Sequence, residues 1–288
     1  MQDYLIVTDS NSDMPEGYAA EHGILEMELT YTIGGKTYHC NDPALSRQDF
    51  YAMMRAGEMP ITAQINVETT KNYLRPYLEQ GKDLLCIMFS SALSGTYNSA
   101  RVASEELMEE FPDRQIIVID SLCASAGEGM LVGMAVEYRE KGLSLEENAQ
   151  RIREDLPKIA HMFTVDDLNH LRKGGRISAT TALVGSMLSI KPVLHVDDAG
   201  RLIPIGKVRG RRASLLALVD YMEKQIDRSR CDRFAISHGD CLEDAQFVAD
   251  EVRRRFKLKN YTISYVGPTV GAHSGPGTVA LFFYAHKR

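Results

Sequence analysis

The 288-residue chain has no tryptophan, no C-x-x-C pair and no apolar run approaching the ~18 residues that a membrane-spanning helix needs. Its start, MQDYLIVTDS, lacks a basic segment followed by a long apolar one, so a cytoplasmic location is expected. The five cysteines, Cys40, Cys86, Cys123, Cys231 and Cys241, are odd in number and widely spaced. That excludes a disulfide framework and offers no zinc spacing, so no metal is expected. Cys86, inside LLCIMF, reads as core filler; Cys123 sits beside a strand end, where a thiol is either reactive or simply packed, and the packed reading is the simpler one. Internal repeats and low-complexity linkers are also missing.

What is present is ordinary for a folded chain: 44% hydrophobic and 25% charged residues with a net charge of −6. The length suits two domains or one large α/β domain. Three segments, YLIVTDSNSD, LLCIMFSSALSGTY and IIVIDSLCASAGEG, each carry a β-rich run into hydroxyl or acidic residues and then a helix. Strands alternating with helices imply a parallel sheet covered on both faces, with its strand ends on one rim where ligands bind. Asp13 with Glu16, Ser46 with Asp49 and Ser144 with Glu147 mark helix starts. Helices are expected near 15–22, 47–57, 67–80, 96–110, 126–141 and 145–157. The segment ILEMELTYTIGGKTYHC reads as two extended runs about a Gly34-Gly35 turn, forming a flap or sheet edge.

From about residue 160 the texture changes. HMFTV, KPVLHV, RLIPIGKV, RFAISHG, YTISYVG and TVALFFYAHK are β-like, with a hairpin turn at DDAG and helices near 179–189, 212–226 and 241–256. The expected fold is therefore α/β in two domains: a three-layer parallel-sheet domain over 1–158, and an α/β domain with a mixed or antiparallel sheet over 159–288.

Four stretches could carry chemistry. SSALSGTYNSA offers Ser90, Ser91, Ser94 and Thr96 before a helix, with Gly95 allowing close approach, which suits a carboxylate or phosphate. Ser94 serves equally as a plain helix cap, and the two roles are compatible. MPITAQIN places Thr62 and Gln64 between two helices, with Asn66 capping the second. GPTVGAHSGPG, residues 267–277, presents His273 among four glycines and two prolines, and so reads as a loop that brings backbone close to a ligand. Ser94, His273 and acids such as Asp9 and Asp120 also raise a hydrolase acting on an acyl ester, although no G-x-S-x-G elbow surrounds Ser94. The fourth stretch is basic. Residues 172–212 hold nine basic side chains, among them Arg172, Lys173, Arg176 and Arg209, against only Asp197 and Asp198. Such a patch fits a protein partner or transient contact with an acidic membrane surface. A pI near 5.8 without a recognition-helix signature argues against nucleic acid.

Taken in order, VTDS, SSALSGTYNSA, VIDS with SAGEG, LRKGGRIS, KPVL with GRLIPIGKVRG, and GPTVGAHSGPG resemble the DegV family, bacterial fatty-acid-binding proteins that work with a fatty acid kinase. The resemblance runs from residue 4 to about 284. It implies a two-domain carrier, not itself an enzyme, that holds one long-chain fatty acid between its domains without any cofactor. It further implies that a separate ATP-dependent kinase phosphorylates the acid's carboxylate. On this resemblance Thr62, Ser94 and His273 contact the carboxylate, with Gln64, Gly95 and Thr96 in support. The LRKGGRIS loop, through Arg172, Lys173 or Arg176, together with Arg209, meets the kinase. One departure stands out: the family's Thr-Ser-Gln-Pro-Ser is here Thr62-Ala63-Gln64-Ile65-Asn66, without the second hydroxyl and the proline. Thirteen methionines suit a pocket that adapts to chains of different shape, although core filling accounts for much of that count.

Overall fold

In the computed structural model, which describes residues 4–178 and 189–288, β1 (Tyr4–Asp9), β2 (Ile24–Met27), β6 (Asp83–Met88) and β7 (Ile116–Asp120) make a parallel sheet in the order β2-β1-β6-β7. Its strands are apolar nearly throughout because both faces are covered. Val7, Leu84 and Cys86 pack under α3 (Val67–Glu79) and α4 (Thr96–Glu110), while Ile6, Leu85 and Ile87 pack under α5 (Ala126–Glu140) and α6 (Leu145–Asp155). Cys86 is indeed core: burial pushes its thiol up to about 12.

The second sheet comprises β8 (Ile159–Thr164), β9 (Ile190–Val196), β10 (Leu202–Arg209), β11 (Arg233–His238), β12 (Asn260–Tyr265) and β13 (Val279–Tyr284), in the order β10-β9-β8-β13-β11-β12. It is mixed, since β11 and β12 run parallel while the other neighbours are antiparallel. Alternation along β13 decides what each face meets. Val279, Leu281 and Phe283 join the core under α8 (Arg211–Gln225) and α9 (Leu242–Phe256); Ala280 and Phe282 turn to the opposite face with Phe163 and Leu194. That second face looks toward the parallel-sheet domain.

A small antiparallel sheet of three strands stands beside both. β3 (Thr30–Ile33) and β4 (Lys36–His39) form the hairpin expected at Gly34-Gly35, whose positive φ values of 56° and 74° suit glycine. β5 (Ile61–Ala63) lies in what reads from the sequence as a plain connection; it completes the order β4-β3-β5 and sets Thr62 opposite Tyr31.

Several expectations need correction. The extended run before Gly34 is broken: Ile24–Met27 belongs to the parallel sheet, and only Thr30–Ile33 joins the hairpin. The first helix is a single turn, α1 (Tyr18–Glu21), begun after Gly17. Asp13 does not cap it; with φ 45° it ends the 3-10 turn Ser10–Ser12, and its carboxylate is used elsewhere. Ser46–Asp49 and Ser144–Glu147 do cap α2 (Arg47–Arg55) and α6, the latter as a reciprocal capping box. The helix expected near 179–189 falls almost wholly on 179–188, outside the described residues. GPTVGAHSGPG is not a loop but a short helix, α10 (Pro268–Ser274), with Pro268 in its first turn and Gly275 (φ 83°) ending it. A further short helix, α7 (Asn169–Lys173), leads into the KGGR turn.

Candidate functional site

Between the parallel-sheet domain and the inward face of the second sheet lies a cavity of about 430 Å³, within the ~300–1,000 Å³ range of small-molecule pockets. Phe89, Leu93, Phe163, Val196, Leu202 and Phe282 give it apolar walls. Thr62, Gln64, Ser94, Gly95, Arg176 and His273 line it too, and they lie together. Ala63 and Gln64 are exposed, so this polar group marks the end nearer solvent.

Tertiary packing brings these residues together. His273 Nε2 stands 2.9 Å from Thr62 Oγ1, although 211 positions separate them. The flap carrying Thr62 is fastened to α10 by the rings of Tyr31, Phe50 and Tyr51, which cluster with Ala272 of that helix. Tyr51 donates its hydroxyl to the Val266 carbonyl at 2.8 Å and occupies the space that a Cβ on Gly271 would fill. Burial first, and the Arg176 guanidinium second, push the His273 imidazole down to about 4. It is therefore neutral at physiological pH, with one ring nitrogen free to donate or to accept.

Ser94 does not act as a conventional side-chain cap. Gly95 is the N-cap of α4, and the Ser94 hydroxyl accepts from Thr96 N at 3.3 Å and pairs with Thr96 Oγ1 at 3.0 Å. Thr96 is fully buried and receives Ile65 N at 3.4 Å, so it supports Ser94 and the strand-to-helix connection. Gln64 donates to Ser99 Oγ at 3.3 Å. The α4 N-terminus thus abuts the cavity with its positive end. Burial pushes the Arg176 guanidinium below its ordinary range; it donates to the Leu93 carbonyl through Nε (3.2 Å) and Nη2 (3.1 Å) and to the Gly174 carbonyl.

The two acids that suggested a hydrolase lie elsewhere. Asp9 receives Asn11 N, Asn11 Nδ2 and Phe89 N, and Asp120 receives Ser91 N and Leu122 N. Both anchor backbone at the strand ends. Cys123 is buried, its thiol pushed up to about 11, with Arg288 Nη2 3.1 Å from its sulfur.

Arg172, Lys173 and Arg209 are exposed, whereas Arg176 is half-buried in the cavity wall. The basic stretch is less charged in space than along the chain. Asp166 and Asp244, from outside 172–212, pair with Arg211, and Asp166 also holds Lys191 at 2.7 Å.

Sequence reasoning misses a polar wall at the domain junction. Asn11 and Thr269 line the cavity, Thr269 Oγ1 donating to Asn11 Oδ1 at 2.7 Å. Asp13 accepts from Gly267 N at 2.8 Å and from the Ser125 hydroxyl, and Ser125 also lines the cavity. These contacts tie the start of α10, and so His273, to the end of β1. The available signal is TDSNSD itself, six polar residues at the end of a buried strand.

Among the described residues, no helix is long and apolar enough to cross a membrane and no cluster of His, Cys, Asp and Glu is placed to hold a metal.

A sequence model of the DegV family of uncharacterised proteins matches residues 4–286. A DegV domain-containing protein of Clostridium perfringens is 41% identical over 284 residues, covering 98% of each chain. Among solved structures, a DegV family protein of Thermus thermophilus, described for its fatty acid binding, superposes with a TM-score of 0.88 at 26% identity, covering 98% of this chain and 99% of that one. A stearic acid-binding protein of Eubacterium ventriosum gives 0.89 at 26% identity, covering 98% of each. With the two-domain architecture and nearly the whole chain matched, this protein belongs to the DegV family.

Proposed function

We propose that the protein is a carrier that holds one long-chain fatty acid between the units 1–158 and 159–288 and presents its carboxylate to a separate ATP-dependent kinase. The observation that carries this reading is the apolar cavity with its polar group at the solvent-near end. The tail supplies affinity: roughly fourteen methylenes at about 0.8 kcal/mol each give on the order of 11 kcal/mol before binding entropy is deducted. Burying the carboxylate costs several kcal/mol unless it is hydrogen-bonded. Thr62, Ser94 and His273 serve that need, with Gln64, Gly95 and Thr96 holding the loop around them. Arg172 and Lys173, exposed beside the turn, and Arg209, exposed at the end of β10, provide the docking surface for the kinase. Arg176 braces the pocket wall through the Leu93 carbonyl.

An ester hydrolase built on Ser94 and His273 finds less support. The Ser94 hydroxyl pairs with Thr96 and His273 pairs with Thr62. The charge next to His273 is the cation Arg176, and an imidazole held near 4 is a poor general base at neutral pH.

Organic extraction of the denatured protein followed by mass spectrometry tests the carrier reading. One fatty acid near one equivalent per chain is expected. An empty extract, with no uptake when stearate or oleate is offered, would overturn it; turnover of a fatty acyl ester by the protein alone would favour the hydrolase.

A further inference from the structure

Gly174 follows α7 with φ −72° and ψ −10°, a conformation open to any residue. Backbone freedom does not require glycine there, but space does. A Cβ on Gly174 would stand 2.2 Å from His273 Nδ1 and 3.1 Å from its Cγ. Two other glycines around the cavity show the same relation. Gly95, at φ −75° and ψ 0°, leaves the place where Gln64 rests, 2.0 Å from its Oε1, and Gly127 in α5 leaves that of His161, 2.1 Å from its Nε2. By contrast, the neighbouring Gly175 has φ 73° and only open space within 4 Å of where a Cβ would stand.

We propose that Gly174 is a positioning residue, a socket that seats the Nδ1 edge of His273 on the basic turn and holds its Nε2 at Thr62. The inference rests on the fatty-acid reading, and it assigns a physical link between the docking surface and the carboxylate site. The ring is held between Gly174 and Thr62, and Arg176 closes the turn by donating to the Gly174 carbonyl. A partner that displaces Arg172 and Lys173 therefore displaces His273 with them.

Gly174→Ala is expected to weaken stearate binding about tenfold, the loss of one hydrogen bond to a charged group, while 1-octadecanol, which has the tail and no carboxylate, changes less than about twofold. In the His273→Ala background the ring is gone and only the His170 carbonyl oxygen, 3.2 Å away, still meets the added methyl, so Gly174→Ala there should fold normally and change stearate affinity by less than about twofold. Equal loss of both ligands, or the same tenfold loss without the imidazole, would overturn the socket. If the wild-type protein binds no stearate, the fatty-acid reading fails and the socket is judged by imidazole NMR of the unliganded protein. Gly174→Ala should then shift the His273 titration upward toward that of an ordinary histidine, and an unmoved titration counts against the socket.

Discussion

Replacing His273 with alanine is expected to reduce stearate affinity by about ten- to a hundredfold and to leave 1-octadecanol binding nearly unchanged. On the carrier proposal, acyl phosphate formation with a partner kinase supplied should fall further still, because an unheld carboxylate would no longer point at the incoming phosphoryl group. The effect originates in the neutral ring. Without ligand the imidazole is held down to about 4, chiefly by burial. An arriving carboxylate offsets that burial and the repulsion from Arg176, so the ring's affinity for a proton rises on binding. Binding is then accompanied by proton uptake. Stearate affinity strengthens as pH falls through the bound-state value, until the carboxylate of free stearate itself takes up a proton. Calorimetry in buffers of different ionisation heat would read this uptake for wild type and its loss in His273→Ala. Proton uptake of equal size in both proteins, or parallel loss of stearate and octadecanol binding, would place the work of His273 in packing instead.

The second large effect belongs to Asp13. Its carboxylate receives Gly267 N across the domain junction and the Ser125 hydroxyl from its own domain. Asp13→Ala leaves Gly267 N buried without its acceptor, at about 1–3 kcal/mol, leaves the Ser125 hydroxyl only Ser237 Oγ, 2.9 Å away, and frees the start of α10. A loss of about 2 kcal/mol in urea unfolding near pH 4 is expected, together with weaker stearate binding. Asp13→Asn behaves differently. Burial pushes the Asp13 carboxyl up to about 7, against the pull of Ser125 and Gly267. A raised carboxyl contributes stability that is complete below its ordinary range near 4 and is lost as pH rises through about 7. The amide has no such titration. Between pH 4 and pH 8, wild type should therefore lose about 4 kcal/mol relative to Asp13→Asn. The buried histidines, common to both proteins, cancel in that difference. A gap that stays flat with pH would show that Asp13 is an ordinary carboxylate.

Much of the frame is legible in the chain. LLCIMF reads as a strand covered on both faces, and Ser46–Asp49 and Ser144–Glu147 mark helix starts through chemistry contained within four residues. Asp13 carries the same local signal and departs from it, because its partners Ser125 and Gly267 lie more than a hundred positions away and win over the local cap. GPTVGAHSGPG departs for a related reason. Its propensity opposes a helix, but Phe50 and Tyr51 pack against its Gly271 and Ala272, and tertiary contacts outweigh propensity in so short a segment.

Ser94 and His273 stand out in the chain through an ordered set of motifs and Thr62 through MPITAQIN, and none of these states a distance. Periodicity and capping are local, so the sequence by itself determined most strands, most helix boundaries, the two sheet types and the polar residues available for a site. Only the tertiary structure decided that Thr62 meets His273 at 2.9 Å, that Arg176 turns into the cavity wall while Arg172 stays outside, and that Gly174 is a seat rather than a hinge. Those outcomes depend on how separate elements pack against one another, and packing across 211 residues leaves no pattern in any window of the chain.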